Sequence, residues 1–306
     1  MAGVSVVTFS KDFQSSLFDI CRGTSFAAPR VANIAAQLFT KYPNASSNLI
    51  RALIVNSAML PKEIPNEFQL NSKQSQGEKT KQTKKQLQIY GYGQTNLERA
   101  MYSTENYVVL SEEDILKVGY FNLYTIPQLP QEFLNEKGTR ILSVTLAFDP
   151  PTRPTRGDSY LGVTMEFDLF KGIEPQIVRN AYEAASKEAA SKNNSDESVE
   201  NTKTKLKEKY GDGIEVKFSP GSNIRKKGTV QRGQVQIFPQ STKYDKGDMI
   251  LVVSCNRKWA NPDEIEMQRY ALVVSISHSD PQVNLYNRLK LKVDEIDLRE
   301  RGRARV

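Results

Sequence analysis

The chain has 306 residues, enough for one large domain or two. Apolar residues make up 39 % and charged residues 25 %, an ordinary globular balance, and no run of about 18 apolar residues is present to span a membrane. The formal charge of +7 is scattered over residues 73–85, 203–209 and 299–303 without interleaved aromatics, which points to solvated surface and away from nucleic acid.

Two cysteines, Cys21 and Cys255, make no disulfide framework, and one histidine, His278, leaves no zinc-binding set. No metal and no cofactor are expected. Low cysteine usage leans towards the cytoplasm. The opening MAGVSVVTF lacks the basic stretch and apolar core of a signal peptide.

In chain order, residues 4–9 are apolar and β-branched and predict a short buried strand. Residues 26–40 predict a helix whose apolar residues, from Ala27 to Phe39, cover nearly every face, the pattern of a buried helix. Pro29 would fall in its first turn, where a missing N–H costs little. Leu49, Ile50, Leu53 and Ile54 give a second helix its stripe, with Ser46 or Ser47 as cap and Pro61 and Pro65 beyond its end. Residues 71–86 are Lys/Gln-rich and predict an exposed, mobile loop. A turn at Tyr90-Gly91-Tyr92-Gly93 leads to a short helix at residues 96–101.

From about residue 105 the period changes to two. Strands are expected at 116–124, 140–148, 160–170, 214–218, 234–238, 249–255, 270–277 and 284–293, which suggests an all-β sandwich or jelly roll. Residues 174–210 interrupt them with an Ala/Lys/Glu-rich stretch, expected as a helical hairpin or flexible insertion. The chain thus divides into an α/β part at 1–104 and a sandwich at 105–306. Trp259 is expected to pack.

The segment Gly23-Thr24-Ser25-Phe26-Ala27-Ala28-Pro29 carries the chemistry. By itself it reads first as a helix cap, since serine is a favoured cap residue. The same place also suits a nucleophile, because a helix N-terminus offers free N–H groups and positive potential to a developing oxyanion.

GTSFAAP resembles the nucleophile signature of the subtilisin-like serine peptidases, G-T-S-x-A-x-P. The following VANIAAQLFTKYPNASSNLIRALIVNSA resembles that family's next two helices, and YGYGQTNLERA its closing segment. The resemblance covers about the last third of a subtilase catalytic domain. It implies serine endopeptidase chemistry on a protein or peptide substrate, with Ser25 as acyl-forming nucleophile and its N–H as oxyanion donor. Gly23 and Thr24 would shape the turn, and Pro29 would start the helix. Strand 140–148 with Asp149-Pro150-Pro151 resembles the jelly-roll domain that follows some bacterial subtilases.

The departures are as informative. The family's triad runs Asp, His, Ser along the chain, yet no histidine precedes Ser25. The segment supplying the asparagine oxyanion donor is also missing. Asp12 and Asp19 have no base to orient, and His278 is expected at the surface or a strand end. In subtilisin, loss of the base costs about 10⁶ in kcat. The expectation is therefore a truncated chain, inactive alone, needing a missing segment or separate chain for its histidine and aspartate, its helix at 26–40 left exposed and residues 1–104 by themselves only partly ordered or prone to aggregate. The alternative is a non-catalytic pseudo-peptidase remnant that binds proteins.

Overall fold

The computed structural model describes residues 6–61, 63–69, 74–192, 195–238, 244 and 246–289. It begins with a hairpin of β1 (Val6–Phe9) and β2 (Phe18–Cys21). Helices α1 (Thr24–Lys41), α2 (Ser47–Ser57), α3 (Gln76–Tyr90) and α4 (Leu97–Met101) follow. Strands β3 (Tyr107–Lys117), β4 (Phe121–Ile126), β5 (Arg140–Phe148) and β6 (Val163–Phe170) come next, with the short α5 (Gln131–Asn135) between β4 and β5. Helices α6 (Pro175–Lys192), α7 (Ser195–Tyr210) and α8 (Ser222–Arg225) precede β7 (Val230–Ile237), β8 (Met249–Arg257) and β9 (Met267–His278).

The strands after residue 105 form two antiparallel sheets, in the orders β3-β9-β5-β7 and β4-β8-β6. Alternation along each strand sends one set of side chains to a shared core. Leu142, Val144, Leu146 and Phe148 of β5 meet Val163, Met165, Phe167 and Leu169 of β6 and Met249, Leu251 and Val253 of β8, all of them buried. Strand 140–148 lies where the alternation placed it. The expected strand at 116–124 is the end of β3 and the start of β4, broken by a turn at Gly119.

Each sheet carries helices on its other face. Helix α2 covers the four-stranded sheet, where Leu49, Ile50, Ala52 and Leu53 pack with Ala147, Ala271 and Val273. Its start is fixed by Ser46, whose Oγ accepts from the Leu49 N–H at 3.2 Å. Helices α6 and α7 cover the three-stranded sheet, where Val178, Tyr182 and Leu206 meet Phe170, Ile250 and Val252. Lys203 of α7 reaches Asp168 at 2.6 Å and Glu166 at 3.8 Å on β6, all three largely buried.

Several expectations fail for identifiable reasons. Residues 76–90 form α3 where a loop was expected. Ser75 and Glu78 close a reciprocal capping box, and the Lys and Gln that follow are good helix formers despite their polarity. Residues 214–218 are not a strand in either sheet. The stretch follows a 3-10 turn at Asp212–Ile214, and isolated bridges join Glu215 to Phe170 and Ser219 to Gln234. Residues 285–289, expected as part of a strand, are helical; 290–293 lie outside the described residues. The strand at 6–9 is not buried, since only β2 pairs with it and no second layer among the described residues covers it.

Helix α1, apolar on nearly every face, is left exposed, as expected. Of its 18 residues only Leu38 is fully enclosed, while Phe26, Val31 and Phe39 stand about 40 % exposed. No described helix is long and apolar enough to cross a membrane.

Candidate nucleophile at the head of helix 1

Ser25 is the second residue of α1 and is exposed. Gly23 holds the cap position at φ 141° and ψ 156°, a conformation that favours glycine. No side-chain hydrogen bond caps the helix. The first turn closes through the Phe26 N–H on the Gly23 carbonyl at 3.1 Å. The plain-cap reading of Ser25 therefore fails, because Ser25 stands two residues past the cap. The first N–H groups of the helix, that of Ser25 among them, have no intrahelical acceptor.

Pro29 does not start the helix. Because α1 begins at Thr24, Pro29 is its sixth residue and lies inside it. A proline there removes the N–H that would have met the carbonyl four residues back, which is that of Ser25. Thr24 opens the helix, next to the glycine turn.

The surroundings are apolar and open. Phe9, Phe13 and Ile20 of the hairpin are 76 %, 69 % and 63 % exposed, and Phe9 stacks on Phe18 with centroids 5.7 Å apart. On α1, Phe26, Val31 and Phe39 are exposed as well, so this stretch leaves many large apolar side chains uncovered by the described residues. Cys21, half-buried and free, ends β2 four residues before Ser25.

Acid and base do not converge on Ser25. Asp12 sits in the hairpin turn, where its carbonyl accepts from the Ser15 and Ser16 N–H groups. The Asp19 carboxylate accepts from the Ile20 N–H at 2.7 Å. His278 does end a strand, as expected, but it is buried, 3 % exposed, and not at the surface. Its Nδ1 accepts from the Asp280 N–H at 3.0 Å, its ring meets Phe133 edge-on, and a side chain on Gly138 would collide with it. It is a packed core histidine held by its neighbours.

The closing Tyr90-Gly91-Tyr92-Gly93 segment seats against the end of α2. Met59 and Gln94 exchange backbone hydrogen bonds of 2.9 and 2.8 Å. Gly93, at φ 106°, lies so close that a Cβ would stand 2.3 Å from the Met59 carbonyl carbon, so only glycine fits.

Residues 2–93 match the family model of the subtilases. This subtilase-like region contains the hairpin, Ser25 and helices α1 to α3. An uncharacterized protein of Sinorhizobium fredii, y4bN, is 32 % identical over 288 residues, which is 94 % of this chain and 60 % of the relative. The chain thus spans about three-fifths of the length of that curated relative, and the likeness runs well past the subtilase-like region.

Proposed function

We propose that the chain is the nucleophile-bearing part of a subtilisin-type serine endopeptidase. Ser25 attacks the peptide carbonyl, and its own N–H, at the free end of α1, stabilises the oxyanion of the tetrahedral intermediate. An acyl-enzyme on Ser25 follows, and water releases it. The observation that carries this reading is the GTSFAAP segment. It sets an exposed, uncapping serine at the head of a helix, within the stretch that matches the subtilases.

The base and its orienting acid come from outside these 306 residues, either from a further segment or from a separate chain. His278, the chain's one histidine, is buried away in the strand core. The open apolar surface of the hairpin and α1 is where the complementing polypeptide packs. The two sheets we read as a jelly-roll-like sandwich at 105–306, supporting the subtilase-like part at 1–104, with α6 and α7 as an insertion at 174–210.

Fluorophosphonate labelling read by intact mass tests this. The purified chain is expected to take no label. Co-expression with a polypeptide carrying subtilase-type Asp and His segments is expected to restore labelling, and Ser25→Ala to abolish it. Labelling of the purified chain alone would overturn the divided triad. Silence in both arms would overturn Ser25 as nucleophile and leave the second reading, a non-catalytic protein-binding remnant, which the enclosed His278 favours.

A further inference from the structure

The face of the four-stranded sheet under α2 has two halves. Under the first turns of α2 it is apolar, with Ala147, Ala271 and Val273. Under the last turn it is polar. There the Asn56 Oδ1 accepts from the Thr145 hydroxyl at 3.1 Å and from the Ser275 hydroxyl at 3.3 Å, while its Nδ2 donates to the Tyr107 hydroxyl at 3.5 Å. Arg232 of β7, 5 % exposed, lies beside this cluster. Its Nη1 donates to the Ala58 carbonyl at 2.6 Å and to the Tyr92 carbonyl at 3.5 Å. Arg99 of α4 lays its guanidinium 3.9 Å from the centre of the Tyr107 ring.

Every free group at this seam is a donor. The Nε atoms of Arg99 and Arg232 are both buried and have no acceptor among the described residues. Tyr92 accepts from the Arg232 backbone N–H at 3.2 Å, so its phenol keeps a proton to give, while the Tyr107 hydroxyl is held by Asn56 and Ser275. Among the described residues no carboxylate pairs with either guanidinium. The carbonyl end of α2 supplies roughly half a negative charge to Arg232, against two full positive ones. Buried charge without a counter-charge is costly. Burial draws Arg232 down to about 10, and the nearby charge of Arg99 acts in the same direction.

We propose that a small oxyanion of the phosphate class binds between Arg99 and Arg232, where α2, α4 and the turn at Tyr92 meet β3 and β7. The two guanidiniums supply charge and N–H donors, and the Tyr92 hydroxyl completes the set. The ligand ties the subtilase-like region to the sheet behind it, so its binding is read as stability. This inference does not depend on Ser25 being a nucleophile.

Thermal unfolding of the full chain in inorganic phosphate, sulfate, acetate and chloride at equal ionic strength tests it. Phosphate at ten times its half-saturating concentration is expected to raise the midpoint by about 2–3 °C over chloride. Arg99→Gln, at a half-buried position, should abolish the rise, and Arg232→Gln should do so where it folds. Arg30→Gln, exposed on α1, should keep it. A saturable rise with acetate in place of phosphate supports the same site with a carboxylate as its ligand. No saturable rise beyond chloride with any oxyanion, or an undiminished rise in Arg99→Gln, overturns the proposal.

Discussion

Helices α1 and α2 are sequence neighbours, and both are rich in Ala, Leu, Ile and Val. Yet the 18 residues of α1 bury one side chain completely, while the 11 of α2 bury seven residues. Composition does not separate them. Helix α2 has the outer face of a four-stranded sheet beneath it, whereas α1 touches α2 and α4 and otherwise faces outward. An apolar helix is thus a demand for a partner surface, which the described residues meet for α2 and leave unmet for α1.

The contrast can be broken most sharply at α7, a helix seated by charge. Lys203→Ala leaves Asp168 and Glu166 facing each other in a largely buried site, and should cost about 3–5 kcal/mol in urea unfolding. Leu53→Ala removes a core side chain from under α2 and is expected to cost roughly 2–5 kcal/mol by the same measurement. Ser46→Ala, which only unties the start of α2, should cost about 1 kcal/mol. Val31→Ser on the open side of α1 is expected to stay within ~0.5 kcal/mol and to reduce light scattering of the concentrated chain. A loss of several kcal/mol there would mean that α1 is seated after all.

The thiols sharpen the same division without any substitution. Burial pushes the Cys255 thiol up to about 12, so at pH 8–9 it stays protonated and enclosed. One thiol per chain, Cys21, should then react with a disulfide reagent under native conditions, and the second only in denaturant. Two rapid thiols would place Cys255 within solvent reach.

What could be read from the sequence follows from how locally each feature is encoded. Strand β5 was legible to the residue because its alternation is unbroken and its ends are marked by Arg140 and by Asp149-Pro150. The start of α2 was legible to within one residue, at Ser46 or Ser47. Helix α3 was not, because it has no apolar stripe, although Ser75 and Glu78 carry a capping box in plain view. The burial of His278 could not be read, since it depends on Phe133 and Gly138, some 140 residues away. For Ser25, the motif was visible. Its position two residues past the cap, and the place of Pro29 inside the helix, depended on where α1 begins. Arg99 and Arg232 were invisible as a pair, because only the seating of α2 and α4 on the sheet brings them to one tyrosine.

The stretch after Ile214 has a mechanical consequence. Glu215 is bridged to Phe170 in the small sheet and, four residues on, Ser219 is bridged to Gln234 in the large one. A single covalent strap therefore stitches the rim of one sheet to the rim of the other. The Val216 N–H, donated to Leu169, and the Ser219 N–H, donated to Gln234, should consequently exchange with deuterium at similar rates, as two ends of one clasp that opens in a single motion.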